Sequence, residues 1–320
     1  MRLGLLSTAR INELLVAGAR QTGSVEVVAV ASRELRRAEE QAASLGVPRA
    51  DGSYEEMLAD PGLDAVYISL PNSMHVEWSV RALEAGKHVL CEKPLTRHPN
   101  DAERAFDVAE RQGLVLAEAF MWRHHPQAQR LLELRERIGE LRLIRAAFSF
   151  LLDRPGDIRL SPTLEGGALM DVGCYCLSAA RLLAGEPLSV QAQQVKGGDG
   201  VDVRLTAVMR FAGDVLATID CGTDLAGRDE LEVAGTNGVL WLDDPWHSRN
   251  PVIELRRADG VDRLELDSRD AYACELEDFA AAVAGERAPR FGREDAVAQA
   301  RAIAALYASA EANEPTEVGR

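Results

Sequence analysis

The sequence predicts an α/β protein: an N-terminal doubly wound parallel sheet, followed by an α/β domain built on a large, mostly antiparallel sheet. Two observations predict it. Over the first 120 residues short apolar runs alternate with helical patterns, and strands that alternate with helices and are apolar on both faces belong to a parallel sheet covered on both sides. After about Trp122 that rhythm gives way to consecutive short strands separated by turns such as Gly213-Asp214 and Thr236-Asn237-Gly238, the pattern of hairpins in an antiparallel sheet. The boundary divides the chain into a cofactor domain, 1–120, and a substrate-binding and oligomerisation domain, 121–320.

Leu3 to Leu6 reads as the first strand, followed by the turn Ser7-Thr8-Ala9-Arg10-Ile11-Asn12, a helix through Leu14 to Ala19, and a second strand at Val25–Ala31. That is the size of one βαβ unit. A polar helix over Arg33–Leu45 stops at Gly46, and Ser53 with Glu56 has the spacing of a capping box. Asp64–Leu70 is a buried strand closed by Pro71, and Asn72 is the expected N-cap of a helix reaching Ala85. The strand at His88–Cys91 ends in Glu92-Lys93-Pro94. Pro94 disfavours helical backbone at Lys93, so both charged side chains are offered at the carboxyl end of a strand, where open α/β sheets bind ligands. A helix over Pro99–Gln112 and a strand over Leu114–Glu118 complete the first part.

The second part begins with a helix from about His125 to Arg137 and a strand over Leu141–Leu152. A loop rich in Pro, Gly and charge leads to Gly166-Gly167 and a helix over Ala168–Leu183. Strands follow at Ser189–Val195, Val203–Phe211, Val215–Cys221, Glu230–Ala234, Val239–Leu242 and Ile253–Arg257, then helices at Tyr272–Ala284 and Asp295–Ala312.

Composition narrows the function. The hydrophobic fraction is 47% and the charged fraction 27%, as in a globular protein. No apolar stretch reads as the ~18 residues of a membrane helix, and no secretion signal is read at the amino terminus. A net charge of −15 argues against non-specific binding to nucleic acid or anionic lipid. Five cysteines without disulfide-framework spacing fit a reducing cytoplasm. Cys174 and Cys176, two apart on a helix, point to different sides and make a poor metal pair; no metal site is expected.

The first strand–turn–helix is where a dinucleotide fold carries G-x-G-x-x-G. Here the glycine positions hold Ser7, Ala9 and Asn12. Ser and Ala are small enough for a backbone to approach a pyrophosphate, and the helix N-terminus still offers its N–H groups. At the end of the second strand an NAD site wants an acid, whereas this chain has Ser32-Arg33, then Arg36 and Arg37. A hydroxyl and a guanidinium fork suit a ribose 2′-phosphate, so NADP is favoured over NAD.

The spaced motifs Leu70-Pro71-Asn72-x-x-His75, Ala85-Gly86-Lys87-His88-Val89, Glu92-Lys93-Pro94, Glu118 to Pro126 and Gly166 to Tyr175 resemble the Gfo/Idh/MocA oxidoreductase family. The opening Leu5-Leu6-Ser7-Thr8-Ala9-Arg10-Ile11 is similar to the branch containing dimeric dihydrodiol dehydrogenase and NADP-dependent xylose dehydrogenase. The resemblance implies a Rossmann domain, a second domain whose open sheet carries the substrate face and often an oligomer interface, and an active site between them. It implies catalytic roles for Lys93, Asp171 and Tyr175. It also implies a cofactor run formed by Ser7, Thr8, Ala9, Arg10, Ile11, Ser32, Arg33, Arg37, Leu70, Pro71, Asn72, His75, Glu92, Lys93, Trp122 and Arg123. The expected reaction is hydride transfer between NADP(H) and the carbinol carbon of a sugar or related polyhydroxylated molecule, in a homodimer or homotetramer.

Asp171 and Tyr175 are four apart on the expected helix and share a face. Tyr175 would exchange the hydroxyl proton, Lys93 would favour its phenolate, and Asp171 would orient Lys93 or a substrate hydroxyl. Structural alternatives stand beside these: a core tyrosine, an aspartate stabilising its helix start, a packed His75, a salt-bridged Glu92, a packing Trp122. A catalytically silent NADP-binding regulator of the same fold is the competing function.

Overall fold

The structure, a computed structural model, describes residues 1–319. The chain forms two compact units: Met1–Thr96, Asn100–Met121 and Asp270–Val297 make the first, and Arg97–Pro99, Trp122–Arg269 and Ala298–Arg320 the second.

The first unit runs β1 (Arg2–Leu6), α1 (Asn12–Ala19), β2 (Glu26–Ala31), α2 (Leu35–Leu45), β3 (Arg49–Asp51), α3 (Tyr54–Leu58), β4 (Ala65–Ile68), α4 (His75–Glu84), β5 (His88–Glu92), α5 (Pro99–Gln112) and β6 (Leu116–Ala119). Its sheet has the order β3-β2-β1-β4-β5-β6, with every pair parallel. This is the doubly wound arrangement, whose order reverses between β1 and β4. The central stretches of β1, β2, β4 and β5 are apolar because helices cover both faces; Leu5, Val30, Tyr67 and Leu90 share one core.

Local details of the first unit depart from the sequence reading. The three-residue β3 is polar and too short to show periodicity. Asn72 does not cap α4 but opens a 3₁₀ turn, Asn72–Met74, that feeds it. The capping box is half made: Ser53 Oγ accepts the Glu56 N–H at 3.0 Å, while Glu56 Oε2 accepts from Gly52 instead.

The second unit contains α6 (Pro126–Arg135), β7 (Leu141–Leu151), α7 (Cys174–Ala184), β8 (Ser189–Lys196), β9 (Asp202–Arg210), β10 (Leu216–Gly222), β11 (Asp224–Gly235), β12 (Val239–Leu242), β13 (Val252–Arg257), β14 (Gly260–Glu265) and β15 (Thr316–Glu317). They form one sheet of order β14-β13-β12-β11-β7-β10-β9-β8-β15. All its pairs are antiparallel except β7 with β10. One face alternates into a core; the other leaves Val208 and Leu216 exposed.

Two helices close the chain, α8 (Ala271–Val283) and α9 (Arg293–Ala312). The sequence reading places α8 in the second domain, yet it clusters with the first unit. The reason is packing: Leu276, Phe279 and Ala280 join the core of Leu15, Val16 and Ala19, and Gly18 of α1 lets Tyr272 and the Ala273 backbone approach closely.

Against expectation, one stretch, Pro162–Ala184, is long and apolar enough to cross a membrane by length and composition, but 83% of its apolar window is buried inside the fold, as a core helix requires. All five cysteines are buried free thiols.

Candidate active site

In the first unit the carboxyl ends of β2, β1, β4 and β5 lie side by side in the sheet. The segments Ser32–Arg37, Ser7–Ile11, Leu70–His75 and Glu92–Pro94 therefore share one edge.

The missing glycines are replaced by a buried polar network. Ser7 Oγ lies 2.7 Å from Ser69 Oγ, Ser69 Oγ donates to Asn12 Oδ1 at 2.8 Å, and Asn12 Nδ2 donates to the Ser7 carbonyl at 2.9 Å and to Gln41 Oε1. Gln41 in turn donates to the Ala9 carbonyl. The turn is thus braced by side chains. Among the described residues the backbone N–H groups of Thr8, Arg10 and Ile11 have no protein acceptor, and they precede α1, where the helix dipole favours an anion.

At the end of β2, Ser32 is buried and its hydroxyl accepts the Glu34 N–H. Arg33 and Arg37 are exposed. Among the described residues neither has a carboxylate partner, whereas Arg36 pairs with Glu40 at 2.8 Å. Two unneutralised guanidiniums where an NAD enzyme carries an acid fit a ribose 2′-phosphate.

The next two turns are tied to each other. His75 is buried, with Nδ1 2.9 Å from the Pro94 carbonyl and Nε2 2.8 Å from the Leu70 carbonyl. It braces the Leu70-Pro71 turn against the turn after β5. The Lys93–Pro94 peptide is cis, so the chain turns there instead of leaving extended. Glu92 accepts from the Tyr67 hydroxyl and from the Lys93 N–H, and Glu118 Oε1 accepts the Leu95 N–H at 2.7 Å.

In the second unit the helix carrying Asp171 and Tyr175 starts as a π-helical turn, Leu169–Gly173, before α7. Such bulges occur frequently at functional sites. Its start is held by buried Asp202, which accepts the Leu169 N–H at 2.7 Å and the Tyr307 hydroxyl at 2.9 Å. Anchoring that helix start is therefore the work of Asp202. Asp171 instead pairs with Arg159, Nε to Oδ2 2.8 Å. Burial works against the guanidinium's charge, and Asp171 and Asp157 outweigh it. The double glycine makes this possible. A Cβ on Gly166 would collide with the Arg159 carbonyl, and Gly167, at φ +127°, abuts Asp202, so only glycine lets the loop return this closely.

Tyr175 is 7% exposed. Its ring meets Phe148 of β7 edge-on at 5.4 Å and lies 6.1 Å from Trp246. Trp122 joins this cluster through Trp246 at 5.5 Å. Among the described residues its indole N–H is buried without an acceptor. Arg123 is buried beside it in the 3₁₀ turn Met121–Arg123.

The structure thus groups Asp171 and Tyr175 on one helix start, and aligns the cofactor segments of the first unit on one edge. The sequence does not single out Arg159, Phe148 or Trp246, which pair with Asp171 or pack on Tyr175. The alternation of β7 held a signal for Phe148; the others lie in loops.

Two protein-family models match the chain: an oxidoreductase family with an NAD-binding Rossmann fold over residues 3–120, and the GFO/IDH/MocA C-terminal domain over 125–241. The chain is 42% identical over 325 residues to D-xylose 1-dehydrogenase (NADP(+)) 2 of Haloferax volcanii, covering 99% of this chain and 100% of that protein. It is 33% identical to trans-1,2-dihydrobenzene-1,2-diol dehydrogenase of Danio rerio, over 75% of this chain and 73% of that one. A crystal structure of KijD10, a 3-ketoreductase from Actinomadura kijaniata in complex with NADP and TDP-benzene, superposes with a TM-score of 0.91 at 34% identity, covering 97% of both chains. With both halves matched in order and the braced β1 turn in place of the glycine fingerprint, the chain belongs to the Gfo/Idh/MocA family of oxidoreductases.

Proposed function

We propose that this protein transfers hydride between NADP(H) and the carbinol carbon of an aldose or a related polyhydroxylated molecule. The observation that carries the reading is Tyr175: a nearly buried phenol among aromatic rings, in the first turn of α7, directly after a π-helical turn whose Asp171 is fixed by Arg159. The names of the Haloferax volcanii and Danio rerio relatives support the substrate class.

Bound NADP supplies the hydride acceptor. The N–H groups of Thr8, Arg10 and Ile11 would hold its pyrophosphate, and Arg33 with Arg37 its 2′-phosphate. In the first unit the Leu70-Pro71-Asn72 turn would border it, with His75 and Glu92 keeping the turns in shape; Trp122 and Arg123 are the cofactor candidates of the second unit. Tyr175 would exchange the substrate hydroxyl proton and Asp171 would orient a substrate hydroxyl, with Lys93, offered at the end of β5, as the expected catalytic cation. Residues 1–120 serve the cofactor and 121–320 the substrate. A homodimer or homotetramer through the open face of the large sheet is supported by exposed Val208 and Leu216, and cytoplasmic residence by the five free thiols.

The test is absorbance at 340 nm with NADP and a panel of aldoses, aldehydes and trans-dihydrodiols. Turnover of at least one supports the reading. NADP binding with no turnover of any supports the silent regulator instead.

A further inference from the structure

A second polar group lies one aromatic ring away from Tyr175. Phe148 and Asp229 are register partners across β7 and β11, so their side chains share a face of the sheet. It is the face on which Tyr175 lies against Phe148. His247, in the loop after β12, stands edge-on to the same Phe148 ring at 5.5 Å. Its Nδ1 is 2.9 Å from Asp229 Oδ2. The loop is pinned by the neighbouring Trp246, whose indole N–H donates to the Ala147 carbonyl at 3.1 Å.

Asp229, Asp244 and His247 are close enough to suggest a metal centre. Their surroundings argue otherwise. Arg249 lies 3.6 Å from Asp229 and 3.4 Å from Asp244, and backbone N–H groups of Trp246 and Asn250 occupy one oxygen of each carboxylate. Arg249 offsets part of the negative charge, and the backbone donors occupy oxygens a metal would need. One polar atom is left over: among the described residues His247 Nε2 has no partner, and the side chain is 34% exposed.

His247 Nδ1 is held between Asp229 Oδ2 and the Arg249 guanidinium at 3.3 Å, and an imidazole held at one nitrogen with the other open is a directional hydrogen-bonding group. We propose that His247, held by Asp229, binds a ring hydroxyl of the sugar substrate and so determines which sugars are accepted. The proposal rests on the sugar oxidoreductase reading above. His247 takes no part in the proton transfer assigned to Tyr175. Its loss therefore lowers affinity for the sugar and leaves the chemical step and cofactor binding in place.

The test is steady-state kinetics with NADP and the aldose turned over best, comparing wild type, His247→Ala, His247→Asn and Asp229→Asn. The expected result is a KM for the sugar raised about tenfold in His247→Ala, as for one lost hydrogen bond in a site built for a hydroxyl. The expected kcat and KM for NADP are unchanged, and His247→Asn restores part of the loss. A deoxy-sugar lacking the bound hydroxyl should be a poor substrate for wild type and suffer no further loss in His247→Ala. An unchanged sugar KM in both His247→Ala and Asp229→Asn, with the enzyme active, overturns this proposal alone. A wild-type protein that turns over no sugar overturns the reading beneath it as well.

Discussion

Replacing Arg33 by alanine tests the assignment of the cofactor. The guanidinium is exposed at the end of β2, and among the described residues no carboxylate neutralises it. Its charge is therefore available to a 2′-phosphate. A hydrogen bond to a charged group contributes about 1.5–3 kcal/mol, and solvent screening at an exposed site takes the lower end. About 1.4 kcal/mol corresponds to a tenfold change in binding, so KM for NADP should rise roughly tenfold. NAD has no 2′-phosphate, and its KM should stay within about twofold of wild type. Arg37→Ala, one helical turn on, should act in the same direction. Arg36 supplies the internal control, because it is paired with Glu40; Arg36→Ala should change neither constant. The assay is initial-rate kinetics with both cofactors at fixed ionic strength. Equal losses for NADP and NAD, or an Arg36 effect as large as that of Arg33, would refute the reasoning.

Two further outcomes follow from the packing. Glu275 is buried in α8, and among the described residues neither carboxyl oxygen has a partner; Glu275→Met should stabilise the protein by about 1–3 kcal/mol, the cost of an unsatisfied buried polar group. Burial, then Glu92 and Asp278, hold this carboxyl well above its ordinary 4.5. The folded chain thus keeps a proton that the unfolded chain releases above that value, and stability falls as pH rises. The gain in Tm from Glu275→Met should be smallest near pH 4 and grow toward pH 8; a gain independent of pH would contradict this. Gly166→Ala would drive a methyl into the Arg159 backbone, costing about 1–3 kcal/mol as overpacking does. By moving the Arg159–Asp171 pair it should lower kcat more than it changes KM for NADP, and wild-type kinetics at an unchanged Tm would show that the close approach is not required.

Much of the fold is legible in the sequence because each half has its own period. The buried strands of the first sheet are continuous apolar runs between helices, and β7 to β13 alternate. What was missed is short or polar: β3 has three residues, β14 is largely exposed along one edge, and β15 has two residues. The parallel pairing of β7 with β10 is a matter of sheet order, to which local periodicity is blind. At the site, Asp171 and Tyr175 stand out because helical spacing and a double glycine precede their packing. The Arg159–Asp171 pair does not, since it depends on how a loop folds back. His247 depends on a register partner, Asp229, that is set only when β11 pairs with β7. His75 carries the reverse lesson. It reads equally as a cleft residue or a packed one; both ring nitrogens face main-chain carbonyls, and a sequence does not display its carbonyl partners.

The central claim is that Tyr175 exchanges the substrate proton during hydride transfer to NADP. Tyr175→Phe removes one hydroxyl and leaves the ring packed on Phe148 and Trp246. Measured at 340 nm with NADP and the best aldose, kcat should fall by about 10²–10⁴-fold, with the Kd for NADP and the Tm unchanged. Turnover within a few-fold of wild type would contradict the account.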